Sequence, residues 1–218
     1  MTVWSHECYL YKNSYRGLNV RRNGAYFYSK EIVKRIIPNI KTDRNWMTLN
    51  IPGVKADHSI IFIHNNKNPE TRYKWLRCLD DIVLVCAFEK TAKAVEKYGK
   101  TIVLPLSVDV SRVEDFKTSE PKTKDCAFAG RKSKADGLEF PLGCDFLAGM
   151  PRDELLTAMN QYRTIYAVGR CAIEARILGC DIGVYDPRYP DPSIWEIHDN
   201  LEMVPILQKA LDEIDGVK

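Results

Sequence analysis

Long apolar runs are missing from this 218-residue chain. None approaches the roughly 20 residues of a membrane-spanning helix. The first residues lack the basic, apolar and small-residue regions of a secretory leader, so the expected location is cytoplasmic. Paired cysteine spacing is missing as well. The seven cysteines (Cys8, Cys78, Cys86, Cys126, Cys144, Cys171, Cys180) are odd in number and scattered, with no C-x-x-C. They read as reduced, buried small hydrophobes, which excludes a disulfide frame or a zinc site. None sits in a nucleophile turn with a histidine partner, which argues against a cysteine hydrolase. His6-Glu7-Cys8 would alternate across a strand and so makes no metal cluster. There is no repeat and no low-complexity tract. An excess of one charge is absent too: 32 Lys and Arg against 29 Asp and Glu leave a net +3. That suits an anionic small molecule without demanding nucleic acid.

What the chain does have is alternation of strand-like and helix-like segments. Residues 59–64, SIIFIH, and 81–88, DIVLVCAF, are continuous apolar runs, as expected of strands covered on both faces. Residues 89–98 read as a helix closed by Gly99, and 25–37 as a helix ended by Pro38. Residues 117–124, KTSEPKTK, are polar and contain proline, the best boundary between two halves. Strand–helix alternation then restarts at 125–129, with a further strand over 144–148 and closing helices over 194–199 and 202–214, the last with Val204, Leu207, Leu211 and Ile214 on one face. Residues 164–188, TIYAVGRCAIEARILGCDIGVYDPR, form the most informative stretch: a strand ended by Gly169, a helix over 170–178, Gly179 as its cap, and a further strand over 181–185. Such units build parallel α/β sheets, which bind ligands at the carboxyl ends of their strands. Glu174, one turn into the helix, would accept hydrogen bonds from a ribose diol there, or else pair with Arg170 at i−4. Asn23-Gly24, beside Arg21 and Arg22, would hold a phosphate on free backbone N–H groups, or form a surface turn.

The order of these motifs resembles the glycosyltransferases of the two-Rossmann-domain type, the GT-B fold, and within them the family 4-like retaining enzymes. Residues 80–116 are similar to the end of the family's N-terminal domain, with its P-x-x-V-D turn. CAFAGR, 126–131, resembles the first strand of the donor domain, and AVGRCAIEARILGCDIGVYD the E-A-x-x-x-G-x-x-V unit around the donor nucleotide. The resemblance implies an α/β fold of two Rossmann-like halves with parallel sheets facing a central cleft. The acceptor-side domain would be 1–118 and the donor-side domain 119–218, the final helix packing back across the cleft. It implies a nucleotide-diphosphate sugar as donor substrate, with no further cofactor and no metal, and an acceptor it does not define. Glu174 would hold the ribose, and Arg131 and Lys132 the diphosphate, whose charge grows as the glycosidic bond breaks. Gly169 and Arg170 would lie beside the donor, His64 would face the sugar, and Gly24 would lie in the glycine loop. His64 and Arg131 are thus the expected catalytic pair.

The chain departs from the family in length. Members exceed 300 residues, and here only a short irregular stretch separates Arg131 from Cys144. The second family glutamate is replaced by Ala167 or Tyr166. A non-catalytic nucleotide or nucleotide-sugar binding protein, or a protein-interaction module, is therefore the alternative. A third reading is single-stranded nucleic acid held by Arg16 to Arg22 with Tyr11, Tyr15, Tyr26 and Tyr28. It ranks last, because the net charge is modest and no known binding motif is present.

Overall fold

The computed structural model describes residues 1–5, 24–49, 54–64, 68–130 and 140–217. The chain forms two compact units: Met1–Pro105 with Asn200–Lys218, and Leu106–Asp199.

The first unit carries five parallel strands in chain order, β1 (Val3–Trp4), β2 (Asn45–Met47), β3 (Ser59–Ile63), β4 (Ile82–Cys86) and β5 (Lys100–Val103). β3 and β4 are buried at every position, as their unbroken apolar runs require. Alternate residues supply the two faces. Ile61 and Ile63, opposite Leu84 and Cys86, join Met47 in one core with Tyr73, Leu76, Ala92 and Val95. Those last four come from α2 (Pro69–Arg72) with its following 3₁₀ turn, and from α3 (Glu89–Val95). On the other face Trp46 stacks on Phe62, whose ring also meets the edge of Tyr28 from α1 (Gly24–Glu31). α1 runs on through a π-helical turn, Ile32–Ile36, into a 3₁₀ turn over Ile37–Asn39. Gly99 is extended, and its need for glycine is steric: a Cβ there would lie 2.5 Å from the Ile82 carbonyl oxygen.

The C-terminal helix α7 (Met203–Asp215) belongs to this first unit and buries Met203, Leu207 and Leu211. Asp215 near its end accepts from Arg44 Nε and Nη2, and Arg44 Nη1 donates to the Asp81 carbonyl. Asp81 in turn holds His58 Nδ1, while His58 Nε2 faces Asp43 at 3.1 Å.

The second unit has four parallel strands, β6 (Lys124–Phe128), β7 (Asp145–Phe146), β8 (Tyr162–Tyr166) and β9 (Asp181–Gly183), in the order β7-β6-β8-β9. α4 (Val110–Glu114) precedes them; α5 (Arg152–Met159) leads into β8, and α6 (Arg170–Ile177) follows it. Both α5 and α6 pack on β8. The polar stretch 117–124, expected as the boundary, lies inside this unit. Asn160 holds the Phe116 carbonyl and the Thr118 N–H, and Lys122 Nζ donates to the carbonyls of Asn160 and Leu178. The stretch is exposed except at Lys122, yet these bonds tie it to the unit. The helix expected over 194–199 is replaced by a 3₁₀ turn at Pro192–Ile194. The backbone beyond it is committed elsewhere: Asp199 bridges Val108, whose N–H donates to the His198 carbonyl.

Candidate functional site

Strand order singles out one edge. In the second unit the chain leaves β6 toward β7 on one side, then returns past β6 to β8 and continues to β9. The direction reverses between β6 and β8, and ligands of open α/β sheets bind outside the carboxyl ends of the strands at such a reversal. The first unit's sheet follows chain order, with no reversal among its described strands.

Both strands flanking the reversal run out into Gly-Arg. β6 ends before Gly130, where a Cβ would lie 2.6 Å from the Phe128 ring. β8 leads to Gly169, the N-cap of α6, with φ 66° and ψ −140°, a conformation essentially reserved for glycine. Among the described residues beyond its chain neighbours, no atom lies within 4 Å of where its side chain would be. The positive end of the α6 dipole lies at this position.

Glu174 lies on α6 with no exposed surface. Its Oε1 accepts from Arg152 Nη2 at 2.5 Å, and Arg170 Nε stands 3.6 Å away. Arg152 is the first residue of α5, so the cluster joins the amino-terminal turns of two helices. The side chains of Arg152 and Arg170 are only 12% and 5% exposed. Glu174 pairs with Arg170 at i−4, and its second oxygen, Oε2, is buried with no hydrogen-bond partner among the described residues. Two guanidiniums thus meet this carboxylate at the amino-terminal turns of two helices, whose dipoles favour an anion.

A ring cluster stands at the same edge. Phe128 meets Phe140, Phe146 and Tyr185 at centroid distances of 5.1, 5.7 and 5.2 Å, and Phe140 meets Tyr166 at 5.5 Å. Burial raises the Tyr185 and Tyr166 hydroxyls above the ordinary phenol range, so both stay neutral. Neither Arg152 nor this cluster was foreseen. Arg152 is hidden in sequence by the acidic pair Asp153-Glu154 beside it, although Pro-Arg at a helix start is a usable signal. The rings show a signal too: Phe128, Phe146 and Tyr166 each end a strand.

The other expected residues divide. Arg131 and Lys132 lie outside the described residues, as do residues 6–23, which lead up to Gly24 at the start of α1. His64 follows β3 in the first unit. Its Nε2–H donates to the Thr48 carbonyl at 2.6 Å, and its ring stacks on Phe62 and meets the edge of Tyr28. The carbonyl can only accept, so Nε2 carries a proton. Tyr26 and Tyr28, considered for base stacking, are 8% and 6% exposed and belong to the core; Tyr11, Tyr15 and Arg16 to Arg22 lie outside the described residues.

The fold class is α/β, Rossmann-like, with two parallel sheets. No helix among the described residues is long and apolar enough to cross a membrane. No protein-family model, curated protein or solved structure matches this chain.

Proposed function

We propose that the protein binds a nucleotide diphosphate carrying a sugar at the carboxyl edge of the β7-β6-β8-β9 sheet, and that it transfers that sugar to an acceptor. The observation that carries this reading is the buried Oε2 of Glu174, which has no hydrogen-bond partner among the described residues, at the point of strand reversal. A ribose diol supplies the two hydroxyl donors such an oxygen takes up, and the diphosphate would meet the amino ends of α5 and α6. Arg131 and Lys132, next in sequence after Gly130, would neutralise the leaving diphosphate. The brevity of the chain between β6 and the two-residue β7 favours the second reading, a binding protein without transfer.

The experiment is a thermal-shift series with nucleoside diphosphates and their sugars, on wild type, Glu174→Gln and Arg131→Ala, each against its own ligand-free baseline. A ligand at a hundredfold excess over its Kd stabilises by about 2.7 kcal/mol. The expected result is a shift for one base, reduced in both variants, with diphosphate released when acceptor is supplied. Binding without release would select the second reading. No shift for any nucleotide, or full shifts in both variants, would remove the assignment.

A further inference from the structure

β6 and β7 pair in parallel with Ala127 opposite Asp145 and Phe128 opposite Phe146. One residue back along both strands, the same register sets Cys126 opposite Cys144. Opposed residues of parallel strands point to the same face, and neighbouring strands lie about 4.8 Å apart. That separation is inside the span of roughly 4.4–6.8 Å that a disulfide bridges between Cα atoms. The Cys144 thiol faces the Asp145 carbonyl at 3.8 Å. Both cysteines are half-buried and so within reach of a small reagent, whereas Cys86 and Cys180 are buried. Burial, and then the neighbouring Cys126 side chain, push the Cys144 thiol up to about 12. It therefore keeps its proton at neutral pH and suits the second, resolving position.

We propose that Cys126 and Cys144 form a reversible dithiol–disulfide pair, oxidised by a small-molecule disulfide of the glutathione class. The Cys126 thiolate attacks one sulfur of the oxidant, making a mixed disulfide and expelling one thiolate, which takes up a proton. Cys144 then loses its proton as its sulfur attacks the Cys126 sulfur. The Cys126–Cys144 bond forms and the second small thiol leaves. Two protein thiols give up two electrons and two protons, and one oxidant disulfide becomes two thiols. β7 is a two-residue edge strand, so the bond clips the weakest strand of the sheet to its neighbour. Phe128 and Phe146, two positions further along, are fixed with it, and with them the ring cluster at the carboxyl edge. This pair stands whether or not a nucleotide binds there.

The test equilibrates the full chain in buffers of graded reduced-to-oxidised glutathione ratio, quenches exchange with acid, blocks remaining thiols in denaturant, and maps tryptic peptides. Trypsin separates Cys126, in 125–131, from Cys144, in 135–152. The expected result is a single linked species of these two peptides, reversed by reductant. Two of the seven thiols are lost, and the melting temperature rises by about 5 °C or more. Cys144→Ser should stop at a glutathione adduct on Cys126. Seven blockable thiols at the most oxidising ratio, a link to any other cysteine, or an unresolved adduct in the wild type would each overturn the proposal. The wild-type peptide map decides the matter even if the serine variant folds poorly.

Discussion

A carboxylate with no exposed surface must be compensated within the fold, and Glu174 is compensated by two arginines rather than by solvent. Removing one partner of a buried ion pair leaves the other charge stranded and costs about 3–5 kcal/mol. Glu174→Ala should therefore lower the free energy of unfolding measured in urea by that amount even without ligand. A variant as stable as wild type would mean that the two guanidiniums find water, and that the cluster is not the anchor between α5 and α6. At the opposite, amino-terminal edge of the first unit's sheet, His58 and Asp81 both adopt positive φ, 51° and 48°. Their contact has a definite pH signature. The bond to Asp81, and then that to Asp43, raise His58 above the ordinary imidazole value; the bond to His58, and then that to Arg44, lower Asp81. A raised histidine contributes fully below its unfolded value of about 6.5 and loses that contribution as pH climbs through its folded value. A lowered aspartate contributes above about 3.9 and loses it as pH falls through its folded value. The network is thus complete between about pH 4 and 6.5. The melting temperature of wild type relative to His58→Gln should be highest near pH 5 and converge at alkaline pH; a gap that is constant with pH would dissociate His58 from the effect. The pair is half exposed, so the gap should be modest.

Elements were legible in sequence where burial and periodicity agreed. β3 and β4 were read from unbroken apolar runs, and α6 with its closing Gly179, which has φ 75°, from one glycine on either side of a helical repeat. β7 was expected over 144–148 and spans two residues, because an edge strand has a partner on one side only and composition does not reveal which strand is the edge. The π-helical turn at Ile32–Ile36 leaves no mark in the hydrophobic pattern. The last helix was read correctly in existence and slightly off in phase. Val204, Leu207, Leu211 and Ile214 were taken as the inner face, whereas the fully buried line is Met203, Leu207 and Leu211, with Val204 and Ile214 at its borders. A flexible methionine at a helix start is an ambiguous signal, and only the sheet beneath decides the rotation. Leu207→Ala should accordingly cost about 2–5 kcal/mol, while Ile206→Ala, on the exposed side, should stay within about 0.5 kcal/mol. Equal losses in urea unfolding would mean that the helix face is wrongly assigned.

At the scale of the whole molecule the chain is threaded unequally. The second unit is one continuous stretch, while the first is closed by a segment that returns ninety-odd residues later, from Asn200 onward. Composition pointed to a boundary at 117–124 because polarity and proline resemble a linker; it could not disclose that Lys122 and the Thr118 N–H tie the stretch to the second unit, nor that the C-terminal helix completes the first. The returning segment contributes Met203, Leu207 and Leu211 to the first unit's core, the Gln208 side chain to both the Lys41 N–H and carbonyl, and Asp215 to Arg44. Ending the chain at Asp199 would strip that apolar cover from the sheet and leave Arg44, 4% exposed, without its bidentate partner. Both losses fall on one unit. In a chain of residues 1–199, amide exchange should therefore accelerate by orders of magnitude across β3 and β4, while β6 and β8 keep their protection. Unchanged protection in β3 and β4 would show that residues 1–105 hold a core without the last helix. Loss of protection in β6 and β8 as well would show that the two units unfold as one.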